Sequence, residues 1–379
     1  MFCAMDKIQA TGLTPETTTP DGITGDFTPG QLDDALPCPC SFITIRVLSR
    51  GRFGKVELVV DKRSGKRMVL KYYDKTRIRM NEFLREFQIS CRLSVHPAVL
   101  ITYDKPVETD RAFIFVQEYA KQGDLLEAIP PHQGIDEDRA KSCISQTVSA
   151  ISFMHKRFLV HGNVKPENIL VFDNNMTVVK LSDFRNTQRQ GDTVKKKCQN
   201  VPYTAPETCS TVINEGYVAD YGQDVWSFGV LIFCVLTGVF PWGTATPEDT
   251  SFRNFSHWQK RRVNVTPAEW RKLSSKMQKL LRKVLHPKAE RRCAIGEINK
   301  YMNEQWLETE QEPPSLREET CSWDSTPEVA AMDELRQMLA RHGVVTNSNS
   351  SQKMQRTDEW VQTTCRQAYG LNTATTTGI

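Results

Sequence analysis

The chain has 379 residues, 39% hydrophobic and 25% charged, with 49 Lys and Arg against 45 Asp and Glu. That is longer than one compact core usually needs, and the composition is that of a globular protein rather than a fibrous or wholly disordered one. A net charge of +4 is too mild to argue for nucleic acid, no run of 18 apolar residues is available to span a bilayer, and no basic-then-apolar leader opens the sequence. The eleven cysteines are scattered, odd in number and without a repeated C-x-x-C pair. Reduced thiols in a cytoplasmic protein are therefore expected, with nuclear entry left open, and zinc and membrane association are not.

Residues 1–40 are rich in Thr, Pro, Gly and Asp and bury too little apolar surface to offset the entropy of ordering, so a disordered tail is expected there. From 41 onward short β-branched runs appear: FITIRVLS, KVELVVDK and KRMVLKYYD, separated by turn signals at Gly51-Arg52 and at 63–66. NEFLREFQISCRLS places Phe83, Leu84, Phe87 and Ile89 at helical spacing, and AVLITYDK and AFIFVQEY read as two more strands. Residues 41–120 should thus form five strands and one helix.

Helices dominate from 121. DEDRAKSCISQTVSAISFMHKR is long and amphipathic, and DVWSFGVLIFCVLTG is apolar nearly all round and should be buried. WRKLSSKMQKLLRKVL reads as one basic amphipathic helix. Order should end near Leu307. Residues 308–379 turn polar again and are expected to be mostly disordered, with one short helix at 326–342 signalled by Ser325, Pro327, Glu328 and Gly343. No internal repeats are present.

Several short stretches come one after another in a telling order: SRGRFGKV from Ser49 to Val56, MVLK ending at Lys71, Glu86 in the helix after it, FVQEYAKQGDLLE at 115–127, VHGNVKPEN at 160–168, LSDFR at 181–185, YTAPE at 203–207, DVWSFG at 224–229 and ERRCAI at 290–295. Each alone is weak. In this order they resemble the eukaryotic protein kinase superfamily, Ser/Thr type, over roughly 41–307. The resemblance implies an α+β, bilobal protein kinase fold: a small five-stranded N-lobe with one helix at about 41–120, a larger mainly helical C-lobe at about 121–307, and disordered flanking tails. EFLREFQISCRLSVHP, PYTAPE, DVWSFGVLIFCVLTGVFPW and FRNFSHWQKRR further resemble the SH3-domain-binding kinase family. That name implies SH3 domains as partners through proline-rich ligands, but the chain contains no P-x-x-P stretch.

The resemblance assigns roles to residues. ATP and Mg²⁺ are the implied cofactors, and a protein substrate or signalling partner the implied macromolecule. Gly51 and Gly54 would let backbone approach phosphates, with Val56 closing the same motif. Lys71 would hold the α- and β-phosphates, with Glu86 as its ion-pair partner and Glu82 as the alternative. Gln117 would be the gatekeeper, Glu118 to Ala120 would offer backbone groups to adenine, Asp124 would reach the ribose, and Leu170 would floor the base pocket. Asn168 and Asp183 are hard oxygen ligands of the kind Mg²⁺ takes. Lys165 in its KPEN context points to the Ser/Thr group. His161 and Phe184 are expected to pack, Glu207 to pair with Arg292, and Asp224 to tie down the catalytic loop.

The sequence departs from the family pattern in one region above all. Asn163 replaces the catalytic Asp, Gly162 the Arg before it, Arg185 the Gly after Asp-Phe, and Asn200 a Thr that supports the missing Asp; Ser49 and Val69 depart at the nucleotide end. An amide cannot take a proton at neutral pH, and general-base help is worth about 10²–10⁴-fold in rate, which is ~3–5 kcal/mol of barrier. Three readings stand on these residues: an ATP-binding pseudokinase or very weak phosphotransferase, an active Ser/Thr kinase in which Asn163 only orients the hydroxyl, and a nucleotide-free scaffold. Loss of the arginine at Gly162 implies that phosphorylation of a loop residue such as Thr187 or Thr193 is not the switch. Arg189 and the lysines at 195–197 read as a solvated basic loop or a dock for acidic partners.

Overall fold

The computed structural model describes residues 41–196, 201–262 and 265–308. The N-terminal tail, the 326–342 helix, nearly all of the polar 308–379 segment, and Asn200 lie outside the described residues. Strands β1 (Phe42–Gly51), β2 (Gly54–Asp61) and β3 (Arg67–Asp74) are followed by helix α1 (Met80–Leu93) and by strands β4 (Val107–Glu108) and β5 (Ala112–Glu118). The five strands form one antiparallel sheet in the order β1-β2-β3-β5-β4.

Period-two alternation gives this sheet two faces. Tyr73, Phe113 and Phe115 pack with Phe83 and Phe87 of α1, the Phe83 ring lying 5.0 Å from Phe113 and 5.6 Å from Tyr73. Val59, Leu70, Ile114 and Val116 form a smaller cluster elsewhere in the sheet. In α1 the positions 83, 86, 87 and 90 are all buried, so Glu86 shares the inward face with two phenylalanines. One strand differs from the sequence expectation. AVLITYDK is not a strand but a split segment. Leu100 N–H donates to Leu181 O at 2.9 Å, while Tyr103 N–H donates to Val116 O at 2.9 Å, so its two ends serve different partners. Pro106 comes next, and the fourth strand is the two-residue β4 instead.

The C-lobe comprises α2 (Leu125–Ala128), α3 (Glu137–His155), β6 (Leu159–Val160), β7 (Ile169–Val171), β8 (Val179–Leu181), β9 (Gln188–Arg189), β10 (Thr193–Lys195), α4 (Pro206–Cys209), β11 (Gly216–Val218), α5 (Tyr221–Thr237), α6 (Thr250–Gln259) and α7 (Ser275–Val284). The short strands pair as β6 with β9, β7 with β8 and β10 with β11, pairings that no period in so few residues announces. Helix α5 is buried along almost its whole length, as its all-round apolarity requires, and it stops where Gly238 turns left-handed. Around it Trp226, Trp242, Phe255 and Trp270 form an aromatic block, with Phe255 centred 4.8 Å from Trp270 and Trp242 centred 5.0 Å from Phe255. The run WRKLSSKMQKLLRKVL is not one helix. Ala268–Lys272 is a 3₁₀ turn, Leu273 bridges to Leu307, and Ser274 caps α7 by accepting from Met277 N–H at 3.1 Å. No helix among the described residues is long and apolar enough to cross a membrane.

Arg292 and Glu207 form the expected pair. Nη1 lies 2.7 Å from Oε1 and Nη2 2.6 Å from Oε2, and Nη1 also donates to Gly222 O at 2.8 Å. The Arg292 side chain is 1% exposed, against 33% for Glu207. Removing one partner of a fully buried pair costs about 3–5 kcal/mol. Because Glu207 keeps access to water, Arg292→Met should cost about 2–3 kcal/mol, read as a lower urea midpoint in equilibrium unfolding.

Candidate active site

Strand β3 sets Lys71 beside Val56 of β2 and Phe115 of β5, so all three side chains share one face. The close approach that this needs is made by Gly54: a Cβ there would stand 2.0 Å from Tyr72 O. Gly51 pairs with Gly54 across the hairpin. Lys71 Nζ lies 2.7 Å from Glu86 Oε1, whereas Glu82 accepts from Arg79 N–H at the start of α1. The sequence thus places the right glutamate. It misses Tyr73, whose hydroxyl donates to Glu86 Oε2 at 2.6 Å. The signal was available, because Tyr73 is two residues beyond Lys71 and therefore on the same face of the strand. Burial, then the adjacent Glu86 carboxylate, push the Tyr73 phenol well above its usual range, so it stays a donor.

Asp183 sits opposite Lys71, with Nζ 3.5 Å from Oδ1, in a left-handed backbone conformation (φ +64°). Arg185 grips it with two prongs: Nε lies 2.9 Å from Oδ1 and Nη2 3.1 Å from Oδ2. Burial raises the Asp183 carboxyl, but the Arg185 guanidinium and then the Lys71 ammonium outweigh it and hold the group well below the ordinary carboxylate range. Arg185 is raised in turn, chiefly by Asp183. Its Nε is also 3.9 Å from Glu86 Oε2, and its guanidinium lies 5.2 Å from the Phe53 ring at the tip of the β1–β2 hairpin. One arginine therefore touches three separate parts of the site.

The catalytic loop hangs from Asp224, as expected. Its carboxylate accepts from His161 N–H and Gly162 N–H, both at 2.8 Å, and lies 2.9 Å from His155 Nε2. His161 and Phe184 are buried against each other with rings 5.5 Å apart, as packing residues. Asn163 turns its amide nitrogen toward Asp183 Oδ2 at 3.5 Å, and its backbone carbonyl accepts from Asn168 Nδ2 at 2.7 Å. Asn168 is further fixed by Ser182, whose hydroxyl and N–H donate to its backbone carbonyl at 3.0 and 2.8 Å. Lys165 pairs with Glu167 at 3.2 Å. Asn163, Asn168, Asp183, Lys71 and Glu86 are thus linked by these contacts into one cluster.

The end of the cleft where the resemblance would put adenine is assembled from β5 and the segment that leads from it into α2. Gln117 is buried and donates to Thr102 Oγ1 at 2.9 Å. Glu118 holds Lys180 at 2.7 Å through its side chain and donates its N–H to Ile101 O at 3.1 Å. Val69 and Ala120 are buried. Asp124 is 2% exposed and caps α2 by accepting from Glu127 N–H at 3.2 Å, which is a structural role for a residue the sequence suggested for ribose. Leu170 bridges to Asp124.

The segment after Asp183 is held by contacts that the sequence did not reveal. Arg85 donates to Thr187 O at 2.7 Å and also reaches Gln188 Oε1. Lys196 is not a solvated member of a basic loop. It is buried, and its Nζ donates to the carbonyls of Thr208, Cys209 and Thr211 at 2.9, 3.3 and 2.8 Å. Thr187 is completely buried and Thr193 exposed, so of the two candidate phosphorylation sites only Thr193 is open to another enzyme.

Two properties of the catalytic loop can be measured. Gly162 has φ +71°, and a Cβ there would lie 2.8 Å from Asn186 O. Gly162→Arg should therefore cost at least about 1–3 kcal/mol of backbone strain and lower the melting temperature, with no gain in activity. His161 accepts from Asn163 N–H at Nδ1 (3.2 Å) and donates from Nε2 to Ser182 O (3.1 Å), so it is neutral with the proton on Nε2. Burial is the main cause that lowers its pKa in the folded chain. The unfolded chain then takes up the proton first, at a pKa of about 6.5. Stability is full above that value and should fall as pH drops from 7 toward 5, and His161→Gln should flatten this part of the melting-temperature profile.

The family comparisons agree with the geometry. The protein kinase domain model matches residues 42–307. The serine/threonine-protein kinase SBK1 of Danio rerio is 44% identical over 263 residues, covering 69% of this chain and 68% of its own length. The SBK1 of Mus musculus is 40% identical over 283 residues, covering 75% and 68%. The serine/threonine-protein kinase SBK2 of Homo sapiens is 34% identical over 275 residues, covering 72% and 79%. A five-stranded lobe carrying the Lys71–Glu86 pair, a helical lobe carrying Asp224 and the Glu207–Arg292 pair, and these matches lead to one conclusion: the chain belongs to the Ser/Thr protein kinase family, in the group of the SBK kinases.

Proposed function

We propose that this protein is an ATP-binding signalling protein of the Ser/Thr kinase family in which phosphoryl transfer is absent or very slow. The observation that carries the reading is Asn163, an amide at the place of the catalytic carboxylate, with its nitrogen turned toward Asp183 at 3.5 Å. Its oxygen can accept a hydrogen bond from a protein Ser or Thr hydroxyl and so orient it, but it cannot take the proton.

Support for the nucleotide comes from the opposite side of the cluster. Lys71 is a preset, partly exposed ammonium held by Glu86 at 2.7 Å, and the Gly54 backbone approaches β3 as closely as a phosphate-covering hairpin needs. ATP, when bound, supplies the γ-phosphoryl group. Lys71 would meet its phosphates, and Val56, Leu170 and the Glu118–Ala120 backbone its adenine. The donor set does not fit Mg²⁺ in the same way, because both oxygens of Asp183 already hold Arg185. Protein partners, rather than nucleic acid or membrane, complete the reading. The sequence carries no P-x-x-P stretch of the kind that proline-rich SH3 ligands use. A reducing, cytoplasmic setting would keep Cys91, Cys143, Cys234 and Cys293 as the thiols they are here.

The test is phosphate transfer from labelled ATP to the protein itself and to a generic basic protein, beside a Lys71→Met control. Wild type should match the control, and Asn163→Asp placed on Arg185→Gly, which frees Asp183, should exceed Arg185→Gly alone by about 10²–10⁴-fold. Incorporation by wild type that vanishes in the control would instead mean a slow kinase in which Asn163 positions the hydroxyl. No gain from Asn163→Asp on that background would move the deficit to Asn200.

A further inference from the structure

We infer that the Arg185 guanidinium takes the place of the divalent cation in this cleft, so that the protein binds a nucleoside triphosphate without Mg²⁺. The inference rests on the nucleotide-binding reading above and goes beyond it.

The carboxylate that would hold the metal is already occupied. An ionised carboxylate has about four lone-pair sites. At Asp183, Arg185 takes two of them at 2.9 and 3.1 Å, while Lys71 stands 3.5 Å from Oδ1 and the Asn163 amide 3.5 Å from Oδ2. Mg²⁺ binds oxygen at about 2.0–2.1 Å in near-ideal octahedral geometry, so it would have to enter at the two sites that Lys71 and Asn163 face, beside a guanidinium and an ammonium of its own charge sign. No substitute ligand set stands nearby. Asn168 spends its amide nitrogen on Asn163 O at 2.7 Å and retains a single neutral side-chain oxygen. Among the described residues no group of three or more His, Cys, Asp or Glu is placed to hold a metal ion.

The charge of the cleft is balanced as well. Lys71, Glu86 and Asp183 together carry one net negative charge, which in a kinase cleft calls for a cation before a polyphosphate can enter. Arg185 brings that group to neutrality without any ion. Its mounting is firm: Arg185 is braced by Asp183, by Glu86 at 3.9 Å and by the Phe53 ring at 5.2 Å, yet its side chain remains 35% exposed. A guanidinium has five N–H donors, and the Asp183 pair uses two. Three remain beyond that pair, in the planar fork that suits phosphate oxygens. The loss of the base at Asn163 points the same way, since a site that transfers no phosphoryl group has no need of a metal to stabilise the transfer.

The test is thermal shift of the full chain with ATP in excess EDTA and with ATP in excess Mg²⁺, for wild type, Arg185→Gly and Lys71→Met. Manganese electron paramagnetic resonance in the presence of ATP serves as a direct metal probe. Wild type should be stabilised by ATP in EDTA at least as strongly as in Mg²⁺, and protein added to Mn·ATP should raise the free Mn²⁺ signal, because it withdraws ATP and leaves the metal behind; an unchanged or smaller free signal would overturn this inference. Arg185→Gly should weaken binding in EDTA at least tenfold and make it depend on the metal. A wild-type shift that appears only with Mg²⁺ would overturn this inference and leave nucleotide binding intact. So would an Arg185→Gly protein that binds ATP in EDTA as wild type does. No shift under any condition would overturn both this inference and the nucleotide reading. The wild-type comparison needs no variant to fold, so the outcome does not hang on the stability of Arg185→Gly.

Discussion

A carboxylate withdrawn from water must be neutralised where it lies, or it costs several kcal/mol. Asp183 is such a group, and most of the site is arranged around meeting that demand. Arg185 and Lys71 supply the positive charge, Glu86 and Tyr73 hold Lys71 in line, and Asn163 adds a weak donor. Because Lys71 belongs to β3, Glu86 to α1, Phe53 to the β1–β2 hairpin and Asp183 to the C-lobe, satisfying one anion draws four parts of the chain together. In most kinases that role is shared with a metal ion that comes and goes with the nucleotide. Here the main counter-charge is covalently part of the chain.

A second consequence concerns the segment after Asp183. Kinases of this family commonly order it by phosphorylation, which an arginine in the catalytic loop then reads. Gly162 offers no such reader. Among its described residues the segment is held by Arg85 on the Thr187 carbonyl, by the pairing of β10 with β11, and by the Lys196 ammonium inside a cup of three carbonyls. Burying a lysine is costly unless its donors are met, and Lys196 meets carbonyls at the end of α4 and in the turn beyond it. The segment thus carries a built-in cation where related enzymes add an anion from outside.

Much of this was readable in the residues. Lys71, Glu86, Asp183, Asp224, Glu207 and Arg292 could be placed because each sits at a fixed distance from a motif, and motif spacing survives as geometry. The strand alternation and the apolar wrap of α5 gave the two lobes. What escaped had no periodic signature. AVLITYDK looked like a strand because composition does not tell which neighbour a short run will bond, and its two ends bond different ones. WRKLSSKMQKLLRKVL kept a helical period across a break set by Leu273 and Leu307, residues distant in sequence. Lys196 looked like one of three equivalent lysines, since a carbonyl cup is made by chain folding and leaves no mark on the sequence. The sign of Arg185 could not be read for the same reason: the residue type allowed it to reach phosphate, carboxylate or water, and only the fold chose.

The left-handed backbone at Gly162 has a bearing on the history open to this site. With Asn186 O standing where a side chain would begin, position 162 can regain an arginine only after the Asn186 carbonyl has moved aside. Asn163 meets no such barrier, because amide and carboxylate have the same shape. The two losses are therefore unequal. The proton acceptor lies one substitution away, whereas the phosphate reader is locked behind a change that must precede it and that brings no benefit alone. On the proposed reading of an inactive cleft, a chain that gained the acceptor at 163 would still have no arginine at 162 to read a phosphate on its loop.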